Sequence, residues 1–423
     1  MSKLLETLLY FLNSYFLASN INTLGYYIAS LKGRKSNKSD KLIDDTQSTT
    51  DPSFITIVIP AYDEAKVIGR TIDIFEMVNY PKDFYEILIA TYESDRRTRE
   101  VVKEYEKKYP NVREVVNPTR PPTNKAQNLN HAYQFIDKKT EIVGFHDAED
   151  VVSRNILSDA NYWLNKGFSA VQFKVIPERR GDSLTERSYA LTFTKTYNFI
   201  VPLKEKLSRL VSSAGTATYI KKSVLDEMRE LYGYLFDERN FAEDFEFSLR
   251  LASQGYKIKY VDSSVVREKF PSEFSHAVKQ RSRWALGTIQ VLLKHRVGKG
   301  TKLSEKIGLA TDYLGLASPL WTVAFGLGIA TIASGMSGVS LINYNSPLYI
   351  MSIVNTLGAL EEILVTPFYA KREYGGSLKE YMKDILATIV NDAINALAVS
   401  KALSKYIKSK MKGETIEWYK TVR

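Results

Sequence analysis

The sequence predicts an α/β domain with a mainly parallel sheet, joined to α-helical membrane segments. Three observations lead there. Short β-branched runs, each ended by loop residues, recur between Phe54 and Val175 and alternate with helix-spaced stretches. Long apolar segments open the chain and return after residue 300. Lysine and arginine cluster beside those apolar segments.

Composition narrows the options. A chain of 423 residues holds two or three structural units, and 44% hydrophobic residues suffice for a core. Cysteine is absent, which excludes disulfides, thiolate metal sites and a cysteine nucleophile. The net charge of +10 suits anionic partners such as acidic lipid headgroups or phosphorylated substrates. No zinc-finger, RNA-recognition or basic-zipper pattern accompanies it, so nucleic acid is not an expected partner.

Residues 4–31 are mostly apolar, interrupted by Asn13, Ser14, Asn20 and Asn22. At about 1.5 Å per residue they reach across a bilayer core of about 30 Å. A cleaved signal peptide is the rival reading, but only Lys3 charges the start and no small-residue cleavage site follows. Lys32, Arg34, Lys35, Lys38 and Lys41 mark a cytoplasmic flank. The organisation therefore reads as a membrane helix (1–32), a basic and polar linker (33–53) and a cytosolic domain (54–269). Within that domain FITIVIP (54–60), EILIA (86–90), EIVGF (141–145) and SAVQFKV (169–175) are strands, and 65–77 and 97–109 are helices. Loops at the carboxyl ends of such strands form the natural ligand site.

Interfacial helices carrying QRSRW are expected over 270–297, membrane or interfacial helices over 298–411, and a cytosolic tail over 412–423. Segment 307–334 holds a single acid, Asp312, and is long enough to span. Segment 347–370 is long enough too but contains Glu361 and Glu362. Segment 384–406, with Asp392 and Lys401, has the character of a helix that can lie flat on a membrane. Lys405, Lys408, Lys410 and Lys412 favour a cytoplasmic end. The chain thus reads as a multi-pass cell-membrane protein with its α/β domain in the cytoplasm.

The densest chemical signal is HDAED (146–150), directly after EIVGF. Asp147, Glu149 and Asp150 on one loop repel each other, and a hard divalent cation relieves that while using their oxygens. An acidic helix cap is the plain alternative. Five other segments flank strands or helices: IPAYDEA (59–65), TYESD (91–95), NKAQNLNHA (124–132), AEDFEFSLRLASQGY (242–256) and QRSRW (280–284). Glu243 and Asp244 are either ordinary first-turn acids or a general base with a like-charged neighbour. The neighbour raises proton affinity and the helix start lowers it, so the balance stays open. QRSRW is either an interfacial anchor or part of a site. His146 and His276 lack metal-ligand company and read as structural.

In order and spacing, IPAYDE, NKAQNLN, DAED, AED and QRSRW resemble the family-2 glycosyltransferases, the group containing cellulose, chitin and hyaluronan synthases, over about residues 54–295. The resemblance implies a GT-A fold, which is Rossmann-like, and a nucleotide-diphosphate sugar donor carrying UDP or GDP. It also implies Mg2+ or Mn2+ and inversion at the anomeric carbon. By the same resemblance Ala61, Tyr62 and Glu64 hold the nucleoside, Asp95 lies near base or ribose, and Lys125 lies near the diphosphate. Asp147 and Glu149 match the metal-binding element, with Asp150 as helper, and Asp147 also meets the donor. Asp244, with Glu243 beside it, matches the catalytic base. Gln280, Arg281, Arg283 and Trp284, with Gly215 and Thr216 of SAGTAT (213–218), are expected around the diphosphate and the acceptor.

Thr91 and Tyr92 stand where the family has acids, and Glu149 where it has Asp. These departures are the only support for the alternative of a non-catalytic nucleotide-sugar-binding scaffold. The terminal IEWYKTVR resembles a Trp-x-Lys-Thr ending of some membrane members. The expected acceptor is a glycan or lipid phosphate at the membrane lipid, in polysaccharide or glycolipid biosynthesis with a β-linked product.

Overall fold

A computed structural model describes residues 51–120, 124–178, 181–207, 211–294 and 347–413, with isolated positions in 7–17 and 326–334. The expected helix over 1–32, the linker up to residue 50, the 307–334 span and the tail beyond Gly413 lie outside the described residues, apart from those positions.

Four strands form one half of the sheet: β1 (Ile55–Pro60), β2 (Tyr85–Tyr92), β3 (Val112–Asn117) and β4 (Ile142–Phe145). They run parallel in the order β3-β2-β1-β4, with Ile57 of β1 level with Ile87 on one side and Gly144 on the other. β1 and β4 are buried almost throughout, as continuous β-branched runs require when helices cover both faces. The other half is mixed. It contains β5 (Val151–Val152), β6 (Ala170–Pro177), β7 (Thr218–Lys221) and β8 (Ile258–Glu268). β7 lies antiparallel to both β4 and β6, β8 runs parallel to β6, and β5 returns antiparallel to β8. The eight-stranded sheet is therefore less uniformly parallel than the sequence implies. β3, β5, β7 and β8 have no clean apolar run, because they are short or carry charged residues at alternate positions.

Helices fill the connections: α1 (Ile68–Phe75), α2 (Arg96–Lys108), α3 (Lys125–Tyr133), α4 (Ile156–Asn165), α5 (Leu184–Lys195), α6 (Val201–Leu207), α7 (Lys222–Tyr232), α8 (Glu243–Ser253) and α9 (Phe274–Lys294). Caps explain several starts. The Asn124 side chain accepts from Gln127 N at α3, and Ser183 with Glu186 forms a full capping box at α5. One core of strand residues such as Ile55, Ile57, Val143 and Val171, with Phe75, Val102 and Leu225 from the helices, fixes the strand ends relative to each other.

Two long helices close the described structure, α10 (Pro347–Tyr374, through Pro367) and α11 (Leu378–Lys412). Both are long and apolar enough to cross a membrane. The side chains of Glu361 and Glu362 lie outside the described ones. Asn13, an interruption in the first apolar stretch, is buried against α10: Ser352 donates to its Oδ1 and Asn355 to its carbonyl, at 3.1 and 2.9 Å. α11 packs along the α/β domain. Arg187 of α5 donates to Asp384 at 2.9 Å and to Glu380. Phe241, Leu286 and Ile289 meet Val399 and Ala402 further along. The expected interfacial helices over 270–297 resolve into the single helix α9, covered on one side by α8 and on another by α11, rather than lying open.

Candidate active site

The site begins where β1 ends. Ala61 is buried and its N–H continues the ladder to Ala90 O at 2.8 Å. Asp63 then turns into the left-handed region (φ +57°), a costly conformation for a residue with a Cβ. The turn is held by two bonds to the next strand's loop. Asp63 N donates to Asp95 Oδ2 at 2.5 Å, and Glu64 N donates to Thr98 Oγ1 at 2.9 Å. Asp95 Oδ1 meanwhile caps α2 at Thr98 N. Asp95 thus staples the loops after β1 and β2 together. Tyr62 stands edge-on to Tyr92, ring centres 5.6 Å apart. Thr91 and Tyr92, the departures from the family pattern, are structural. The Thr91 hydroxyl donates to Glu114 and the Tyr92 hydroxyl to Asn124 O, at 2.6 and 2.7 Å.

The ends of β4 and β7 form the floor. Lys125, first residue of α3, donates to the Asp147 carboxylate and to Gly215 O at 2.6 Å. Burial pushes its ammonium down, but Asp147, Glu243 and Asp244 outweigh that and hold its pKa above the usual value. Asp147 is partly open, whereas Asp150 is fully buried. Asp150 Oδ2 accepts from His146 Nδ1 at 2.7 Å, from Asp147 N at 3.2 Å and from the Thr216 hydroxyl. His146 Nε2 lies 2.9 Å from the Tyr219 hydroxyl.

This arrangement corrects two expectations. Asp150 faces inward and anchors the HDAED loop, because strand β5 begins directly after it. Thr216 is likewise buried, bonded to Asp150 instead of opening toward an acceptor. A residue absent from the sequence reading joins them. Val151 pairs with Arg267, which brings buried Glu268 beside Asp150. Burial, then Asp150 and Asp147, push the Glu268 carboxyl well above its ordinary range.

Glu243 and Asp244 open α8 opposite Lys125. The backbone at Gly215 has φ +76°, and a Cβ there would lie 2.8 Å from Asp244 Oδ2 and 3.5 Å from Lys125 Nζ. Only glycine lets the SAGTAT loop approach this closely. Asp244 Oδ1 accepts from Phe245 N at 2.8 Å, and Ser248 ties the helix to Ser213 N at 2.7 Å. Burial first, then the Asp244 charge, raises Glu243 to about 7. Burial also raises Asp244, while Lys125, the Phe245 N–H and Arg283 draw it back. Burial, which motif spacing does not reveal, thus settles the balance between neighbour and helix start.

α9 divides the QRSRW residues. Residues two apart on a helix point about 200° apart, so Arg281 and Arg283 cannot share a face. Arg283 lies on the face of Gly287 and Gln290. A Cβ at Gly287 would stand 2.4 Å from Ala242 N, and Gln290 Oε1 accepts from Phe241 N at 3.0 Å, both just ahead of the acid pair. Arg281 points the other way. It donates to Asn391 and Asn395 of α11 at 2.6 and 2.7 Å and to Thr192 of α5 at 3.2 Å. Gln280 is buried and accepts from the Tyr189 hydroxyl at 2.6 Å. The half-buried Trp284 packs edge-on to Tyr189, with Val390 nearby. Gln280 and Arg281 therefore bond at the helix junction, away from the expected place beside a diphosphate and acceptor.

Two partly buried carboxylates, Asp147 and Glu149, follow β4 at this floor, while Oδ1 of the inward-turned Asp150 has no hydrogen-bond partner among the described residues. Among the described residues no three metal-ligating side chains converge. That donor set fits Mg2+ or Mn2+, which binds through one or two carboxylates and completes its shell with substrate phosphate oxygens and water.

A lysine–aspartate pair and a half-buried acid pair thus meet at the strand ends of this sheet. Residues 52–287 match the family described as glycosyltransferase like family 2, and the chain belongs to that family. It is 30% identical over 271 residues to the bacteriophage adsorption protein B of Escherichia coli K12, spanning 56% of this chain but only 36% of that protein. It is 22% identical over 412 residues to a poly-beta-1,6-N-acetyl-D-glucosamine synthase of Staphylococcus epidermidis, covering 93% of both. Among solved structures, a mannosyltransferase from Pyrobaculum calidifontis in complex with GDP-Man and Mn2+ superposes with a TM-score of 0.56 at 21% identity, covering 83% of this chain and 99% of that one. The fold is GT-A, as the motif order implies.

Proposed function

We propose that this enzyme moves a sugar, with inversion, from a UDP- or GDP-sugar to a glycan or lipid-phosphate acceptor at the cytoplasmic membrane face, forming a β-linkage. The observation that carries the reading is the half-buried Asp244 carboxylate, pressed by Gly215 and facing Lys125 beside the partly open Asp147. In the reaction the acceptor oxygen attacks the anomeric carbon as the bond to the diphosphate breaks. The acceptor proton passes to Asp244, and no enzyme nucleophile is required. Lys125 and Arg283 supply cations on the side where negative charge gathers. Asp147 and Glu149 would hold Mg2+ or Mn2+, whose charge neutralises the diphosphate oxygens. Tyr62 and Asp95 border the nucleoside end of the groove.

Supporting the membrane assignment, α10 and α11 expose Ile350, Leu357, Phe368, Leu386, Ile389 and Leu397, and Lys401, Lys408, Lys410 and Lys412 are exposed toward the end of α11. The inner face of α11 is occupied from Glu380 to Tyr406 by α5 and α9, which favours a helix lying along the membrane over one crossing it.

Chelation supplies the test. Excess EDTA is expected to abolish incorporation of radiolabelled sugar by enzyme in native lipid, and Mn2+ or Mg2+ to restore it. Asp147→Asn should weaken donor binding only when metal is present. Full transfer in excess chelator contradicts the metal assignment.

A further inference from the structure

α9 is held from two sides. Its front face meets the start of α8 through backbone contact at Gly287 and through Gln290. One turn further on, Lys294 bonds Glu246 and Asp237 at 2.9 and 2.8 Å. Arg283, one turn before Gly287, therefore projects toward Glu243 and Asp244. Its back face packs apolar residues against α5 and α11 and carries one buried cationic side chain. The Arg281 guanidinium is buried, lies 4.5 Å from the centre of the Tyr189 ring, and donates to Asn391, Asn395, Thr192 and, at 3.5 Å, Ser188. Its acceptors are amide and hydroxyl oxygens rather than carboxylates.

Burying a guanidinium on neutral oxygens carries a desolvation cost that apolar packing would avoid. What the planar fork provides is geometry: several N–H groups in fixed directions, read by two amides one helical turn apart on α11. Arg187 makes a second, separate attachment of α11 to α5, through Asp384, two turns earlier. α11 could stay attached to the domain by that bridge and by its apolar contacts. The Arg281 junction adds control of the height and rotation of α9.

We propose that Arg281, Asn391 and Asn395 form a positioning lock that seats Arg283 on the Glu243–Asp244 pair, which makes α11 part of the catalytic scaffold. None of the three touches the reacting groups. The lock acts through Arg283, and it rests on the placement of the chemistry at Asp244. Because the other face of α11 exposes apolar residues, the same lock links the seat of that helix to turnover.

A double-mutant cycle on the full chain in lipid nanodiscs tests this. Asn391→Ala/Asn395→Ala should lower kcat about tenfold, within the range of couplings between touching residues. The melting temperature should fall as well, because the buried guanidinium loses two acceptors, so the comparison between backgrounds and not the melt separates positioning from stability. In an Arg283→Lys background the same pair of changes should lower kcat by less than about twofold, because the contact being positioned is already lost. Asn391→Asp, which keeps an acceptor for Arg281, should retain turnover. Equal losses in both backgrounds, or no loss in the parent, overturn the lock. If the double variant does not fold, Asn395→Ala alone carries the same cycle. An Asp244→Asn variant with normal turnover would instead overturn the functional reading, so the two failures are distinguishable.

Discussion

Asp244→Asn lowers sugar transfer by about 100-fold or more, the scale of losing a general base, while donor affinity changes little. The amide keeps the shape against Gly215 and the bond from Phe245 N but no longer takes a proton. Glu243→Gln behaves differently. It keeps turnover within roughly tenfold, the effect of removing one neighbouring charge. It also changes stability in a pH-dependent way. In the parent, Glu243 holds its proton up to about pH 7, against a usual value of 4.5. The folded chain therefore binds that proton more tightly than the unfolded chain, and its contribution is fully present below about pH 4.5 and lost as pH rises through 7. Glutamine removes the loss. The variant should melt higher than the parent at pH 8 and equally at pH 4.5. Steady-state rates of the metal-supplied enzyme, and thermal melts of the metal-free enzyme at both pH values, check the pair. If Glu243→Gln abolishes transfer while Asp244→Asn does not, the assignment of the base is reversed.

Gly287→Ala is expected to be nearly as damaging, although it adds only one uncharged methyl group. That carbon would stand 2.4 Å from Ala242 N and 2.7 Å from Phe241 C, and backbone atoms cannot swing aside as a side chain can. α9 must lift from α8, carrying Arg283 with it. Overpacking of this kind costs about 1–3 kcal/mol. A shift of about 1 Å in a group that stabilises the transition state lowers turnover roughly 100-fold. Kinetics and melting of the purified variant measure both effects. Normal turnover with a lowered melting temperature would show that the α8–α9 contact is structural only.

The parallel half of the sheet and the motif loops are legible in the sequence for one reason: buried parallel strands must be continuous apolar runs, and their carboxyl ends must carry the chemistry. FITIVIP, EILIA and EIVGF satisfy this, and β1, β2 and β4 lie over them. β3 and β8 escape the same test because VREVVN and IKYVDSSVVRE interleave charge with β-branched residues. At the site, Lys125, Asp147, Glu243 and Asp244 come together from loops far apart in sequence, as the ordered motifs imply. Orientation is what the motifs leave out. Asp150 and Thr216 turn inward, and Arg281 turns to α11, since helical phase and burial, not residue type, decide which face a side chain takes. A readable signal for the junction does exist: Asn391 and Asn395 are four apart in α11, the spacing of two amides on one face. Glu268 has no comparable signal, because its place beside Asp150 depends on the β5–β8 register.

The central claim is a direct displacement assisted by Asp244, and the anomeric configuration of the product tests it most directly. Enzyme in lipid is supplied with an α-linked UDP- or GDP-sugar that it turns over, and the proton coupling at the anomeric carbon of the transferred sugar is read by NMR. A single displacement predicts a β-linked product. An α-linked product would require either a covalent enzyme intermediate or front-face departure, and would contradict the role assigned to Asp244.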